Sequence, residues 1–271
     1  MTTGPAGGFA TTGTEVRNVD PRDIDLDAVQ RQFERRLDAL LRDWDSITRD
    51  QRDSILEQVR SAITSNDIAA LARLTVNTGA AQDALVSAMT DMALEAAQQM
   101  SREAREQNVR LDPVASDTSV FASVAAALVA LLGQGLTNAA GREALRQWSV
   151  ATSGDEVAAS VREHLESLSD DFVRRHLGAA LTSAQNTGRL NTALSGPVAA
   201  LYASEQMDGR TCGPCQQVDG KWLGNTDDPD TPARVQEVYP NGGYRYCEGG
   251  TRCRGTIVSV YRPQQVDPAN P

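Results

Sequence analysis

Lysine is nearly missing from this chain. Of 26 basic side chains only Lys221 is a lysine, leaving 26 − 1 = 25 arginines. With abundant alanine, that skew points to a GC-rich host genome and not to a function. Histidine is almost as scarce, at two residues, His164 and His176. Twelve positions apart on what reads as one helix, they are expected about 18 Å apart along its axis. That is too far to share a metal, and both read as helix-surface or boundary residues. No HExxH, Walker A or Gly-rich dinucleotide loop occurs, so nothing marks a metalloprotease, a P-loop enzyme or a dinucleotide enzyme.

Aromatic residues are 4% of the sequence, so Ala, Leu and Val must supply the core, which suits helices packed closely through small side chains. Positive charge is in deficit. A net charge of −10 argues against a general nucleic-acid binder, whose phosphate affinity needs clustered Lys and Arg. The opening stretch MTTGPAGGFATTGTEVRNVDPRD has neither a basic n-region nor an apolar h-region, so no secretory leader is expected. The longest apolar run, Val120 to Leu132, is 13 residues. It is too short to span a bilayer and reads as a buried helix, with no membrane partner.

What remains is a strongly helical pattern. Residues 1–23, rich in Gly, Thr, Pro and Asp, read as a flexible arm. From Leu26 apolar residues recur at three- and four-residue steps through Val29, Phe33, Leu37, Leu40 and Trp44. Thr48-Arg-Asp-Gln51 has a capping-box pattern that predicts a new helix start. A short segment over 67–74 and a long helix over 80–110 follow, the latter ended by Asp112-Pro113. The apolar helix 117–132 is expected to break at Gly133 and Gly135, with a further helix over 141–148. Ser153-Gly-Asp-Glu156 supplies a second capping box. The stripe beyond it runs Val157, Val161, Leu165, Leu168, Phe172, Leu177, and helix continues, with breaks near Gly188 and Gly196-Pro197, to about Gln206.

Residues 1–206 hold no cysteine, and all four lie in the last quarter, where helical periodicity stops. The fold class expected is mainly α: a helical body over 24–206, then a small loop-rich α+β module over 207–262 with short strands, then a tail over 263–271. Thr256-Ile-Val-Ser-Val-Tyr261 alternates as a strand does. Tyr239, Tyr244 and Tyr246 are expected in the module's small core, and the acidic Asp227-Asp228-Pro-Asp230 as a solvated loop.

The thiols are spaced Cys212-x2-Cys215 and Cys247-x5-Cys253. A metal site, two disulfides and unpaired thiols all fit that spacing. A reducing cytoplasm favours metal, with zinc held by Cys212, Cys215, Cys247 and Cys253 and replacing a core too small to stabilise itself. The tetrapeptide Cys212-Gly-Pro-Cys215 also matches a thiol oxidoreductase signature, but it reads as lying between two turns, outside the strand-to-helix setting that chemistry needs.

The order of features over 202–260 resembles the C-terminal region of MuF-like phage head-morphogenesis proteins. The residues concerned are Tyr202, Asp208-Gly-Arg210-Thr211-Cys212-Gly-Pro-Cys215, Asp219-Gly220-Lys221 and Cys253-Arg254-Gly-Thr256-Ile-Val. The family often ends His-x-x-Cys-Arg-Cys, whereas Gly250 and Gly255 occupy the His and last Cys positions here. The resemblance implies a non-enzymatic minor head (minor capsid) protein of a tailed phage. It would sit at the portal vertex or inside the capsid after assembly in the host cytoplasm, aiding assembly or DNA packaging and ejection. The partners implied are the portal protein, the major capsid protein and further copies of the chain around the portal, with packaged DNA nearby. Two other readings stand beside it: a zinc-stapled nucleic-acid-binding module using Arg245, Arg252, Arg254 and Arg262, and an enzyme, toxin-like or thiol oxidoreductase.

Overall fold

The computed structural model describes residues 20–21, 24–151, 153–168, 170–250 and 253–261. The expected arm and tail fall almost wholly outside them. Among the described residues the chain is mainly helical, with eight α-helices and one three-stranded antiparallel sheet.

Helix α1, Asp27–Thr64, is a single rod. The capping pattern at Thr48 starts nothing, because the buried stripe passes through it: Trp44, Gln51, Ile55 and Val59 stay on one face. Gln51 is buried and its amide donates to the Asn77 carbonyl at 2.9 Å. Continuous burial outweighs a cap worth about 1 kcal/mol. Asp67 caps the one-turn α2, Ile68–Leu71, accepting from the Ala70 N–H. Helix α3, Gly79–Glu106, buries Leu85, Met89, Met92, Ala96 and Met100. It stops short of Asp112-Pro113, at the left-handed Asn108 (φ 61°). Helix α4, Thr118–Trp148, begins at its Asp117 cap and runs unbroken past Gly133 and Gly135.

Ser153 behaves as its pattern predicts, accepting from the Glu156 N–H at the start of α5, Gly154–Ser167. The expected long stripe breaks at Leu168, and a separate α6, Asp170–Leu194, follows. The two histidines therefore lie on different helices, and Phe172, expected inside, is exposed, stacked edge-on against His176. Gly188 does not interrupt α6. A side chain there would lie 2.1 Å from the Ala93 carbonyl oxygen, so this glycine lets α6 and α3 approach backbone to backbone.

One core, formed by α1, α3, α4 and α6, includes Leu40, Trp44, Leu85, Met89, Phe121 and Leu181. A second, formed by α1, α4 and α5, includes Ile55, Val59, Val157, Val161 and Leu165. Residues 199–204, expected to be helical, instead form β1, Ala199–Ser204, the middle strand of the sheet. It pairs with β2, Trp222–Asn225, on one side and β3, Thr256–Tyr261, on the other. Two short helices, α7 (Gly213–Val218) and α8 (Thr231–Val238), fill the connections.

The sheet is tied to the body by polar groups. Asn186 of α6 donates to the Gly242 and Gly255 carbonyls and accepts from the Ile257 N–H. Arg189, fully buried, donates to the Ile257 carbonyl and pairs with Glu103 of α3. Gln107 completes the outer edge of β3, donating to the Ser259 carbonyl and accepting from the Tyr261 N–H.

Candidate metal centre

The chain leaves β1 at Glu205 and turns at Asp208, whose carboxylate accepts from the Arg210 N–H. It then enters α7 with Cys212 at the N-cap and Pro214 in the first turn. Pro is well suited there, since it has no N–H to leave unpaired. Cys212-Gly-Pro-Cys215 thus opens a short helix instead of lying between turns. The strand before it ends at Ser204 and is the centre of an antiparallel sheet, so the local setting is not a βαβ unit. Gly220 (φ 75°) makes the next turn and returns the chain to β2.

Long-range pairing brings the second half of the string back to the first. Arg254 donates twice to the Asp208 carboxylate, both bonds 2.8 Å. That pairing holds Asp208 well below the usual carboxylate range, helped by the Arg210 N–H. The sulfurs of Cys212, Cys215 and Cys247 all lie within 4.8 Å of one another, and Cys212 Sγ and Cys247 Sγ are 3.8 Å apart. In a tetrahedral zinc–thiolate site, Zn–S bonds of about 2.3 Å place the sulfurs about 3.8 Å apart. A disulfide would need about 2.05 Å, and the four thiols are unbonded. Cys253 joins the cluster through Cys215 and Glu205, the ligand atoms of these three again within 4.8 Å of one another.

Glu205 has no place in the sequence-based site, yet it is 4% exposed and central. Its carboxylate accepts from the Tyr239 hydroxyl at 3.0 Å and stands 3.9 Å from Cys253 Sγ. The available signal was an acid two residues beyond the apolar run Ala199–Ala203.

Backbone donors are already aimed at the sulfurs. Cys253 Sγ accepts from the Tyr244 N–H at 3.2 Å. Burial opposes the Cys212 thiolate, but the Cys215 and Glu248 N–H groups outweigh it and hold this thiol below its ordinary value. Deeper in, the balance reverses. Burial and then the Glu205 charge push Cys215 strongly up and Cys253 up to about 12. Glu205 itself is pushed up to about 7, chiefly by burial, against the Tyr239 hydrogen bond. Glu205, Cys215 and Cys253 thus share one buried space as weak acids, and a divalent ion there would displace their protons. N–H···S donors around thiolates are what an outer shell of such a site requires. The donor set fits a thiolate-bound cation.

The remaining expectations divide. Tyr239 is buried and Tyr244 half-buried in the module core, stacked edge-on at 6.3 Å, but Tyr246 is exposed. Asp228 is turned onto Arg234. Arg245 and Arg254, named as a basic edge, pair with Glu237 and Asp208. Arg252 and Arg262 lie outside the described residues. Comparison with family models, curated proteins and solved structures found no match.

Proposed function

We propose that this chain is a non-enzymatic minor head protein of a tailed phage, docking on the portal or major capsid protein through its helical body. Its C-terminal module is a structural unit stapled by zinc on Cys212, Cys215, Cys247 and Cys253. One observation carries the reading: the parts of the string from Tyr202 to Thr256, far apart in sequence, converge on one cluster. Arg254 grips Asp208, and Cys253 and Cys247 both meet Cys215. Zinc suits the cluster because it takes four thiolates tetrahedrally and has no redox chemistry to disturb them. A chain of net charge −10 also escapes non-specific capture by packaged DNA.

Fractionation of infected cells tests the role. The protein is expected to co-purify with procapsids, and recovery only in the soluble host fraction contradicts it. Cys212→Ser and Cys215→Ser separate the staple from a redox centre. Loss of folding or assembly supports the staple. Intact assembly with loss of disulfide-reductase turnover alone supports the enzyme.

A further inference from the structure

A concavity of ≈ 1140 Å³ lies away from the thiols, between the middle of α1, the centre of α4 and the end of α5. Its floor is apolar, built from Trp44, Val129, Leu132 and Leu136, and Phe172 stands exposed at one side. Its walls carry Arg49, Arg52, Arg142 and Arg162, none of which has an ion pair among the described residues. A fifth arginine, Arg174, is held by Asp38. Against these five stand three acids, Asp45, Asp53 and Glu166, so the lining is net positive in a chain of net charge −10.

Two further observations mark the groove as built. Thr48 Oγ1 and Arg52 Nε are buried along it without a hydrogen-bond partner among the described residues, an arrangement that costs stability unless something is gained elsewhere. Gly135 lines it from inside α4, where glycine is a poor helix former, and a side chain there would meet nothing within 4 Å. Among the described residues no packing requires that glycine. What it preserves is room.

We propose that this groove binds a small amphiphilic anion: an apolar acyl or aryl body seated on the Trp44–Leu136 floor, with a carboxylate, phosphate or sulfonate head on the arginines. Concave, mostly apolar surfaces with a few convergent charged groups are where such ligands bind, and guanidinium groups hold acidic heads in paired hydrogen bonds. The site is independent of the thiol cluster and of the head-protein reading.

Titration of the full-length chain with anilinonaphthalene sulfonate tests it by fluorescence, with dodecanoate and dodecyltrimethylammonium as competitors. Saturable binding is expected, displaced by dodecanoate and not by the cation. Arg142→Glu with Arg162→Glu, both exposed, should weaken binding about tenfold or more. Gly135→Leu should abolish it without lowering the melting temperature. Absence of binding, equal displacement by the cation, or full affinity in the double arginine variant overturns the proposal, whatever Gly135→Leu does to folding. Binding of an acidic amphipathic peptide without binding of dodecanoate overturns it in favour of a protein partner.

Discussion

In the helical body away from the C-terminal sheet the largest fully buried side chains are apolar: Phe121, Ile55, Leu56, Leu85, Met89 and Leu181. Where the C-terminal sheet meets α6 and α3, the largest is Arg189, accompanied by Asn186, Gln185 and Glu103. The body is held by dispersed burial, in which each side chain contributes a small share of a large total. The module has a smaller apolar core, which includes Leu201, Val218, Leu223, Val235 and Ile257, and adds to it a few directional contacts and a knot of thiols. The first kind of cohesion degrades gradually under substitution. The second fails when one partner is removed, because the group left behind is buried and unpaired.

If the thiol cluster holds zinc, as proposed, the largest effect should come from removing it. With a strong chelator, the region 199–261 is expected to become protease-sensitive while far-UV helical signal largely persists. Structural zinc in small domains contributes on the order of 10 kcal/mol at neutral pH. Unchanged protection of the module under chelation would erase the contrast between the two regions. Next comes Glu103→Ala, which strands the buried Arg189 guanidinium and should cost about 3–5 kcal/mol in urea unfolding. Glu103→Gln should recover part of that loss, since the amide oxygen can still accept from Arg189. Leu85→Ala in the body should cost about 3 kcal/mol, within the usual range for a buried leucine. Its cost should be the same with and without chelator. A chelator-dependent cost would mean the two regions unfold as one unit. Smallest is Ser153→Ala, which removes the α5 cap and should cost about 1 kcal/mol by thermal melting.

The same contrast decides what could be read from the sequence. Local chemistry was legible where it acts alone, as with the Ser153 cap, the Asp67 and Asp117 starts and the strand at Thr256–Tyr261, although that strand is buried on both faces instead of alternating. It misled where tertiary packing overrides it. Thr48-Arg-Asp-Gln51 has the letters of a helix start, but Gln51 is drawn into the interior by Asn77. Gly188 has the letters of a break, yet it serves a close approach to Ala93. Ala-Ala-Leu-Tyr-Ala-Ser, 199–204, has helix-favouring composition and becomes a central strand only because β2 and β3 flank it. That strand delivers Glu205 to the thiols, so misreading it also hid the acid. The four cysteines were identifiable as a group. Which of them touch was not, since Cys253 reaches the others through Cys215 and Glu205, a relation fixed by the distant pairing of Arg254 with Asp208.

The central claim is that the thiol cluster is a metal staple, and elemental analysis of the purified full-length protein combined with a thiol count tests it most directly. About one zinc per chain, with four thiols protected until chelator is added, is the predicted result. Four freely reactive thiols and no bound metal would contradict it.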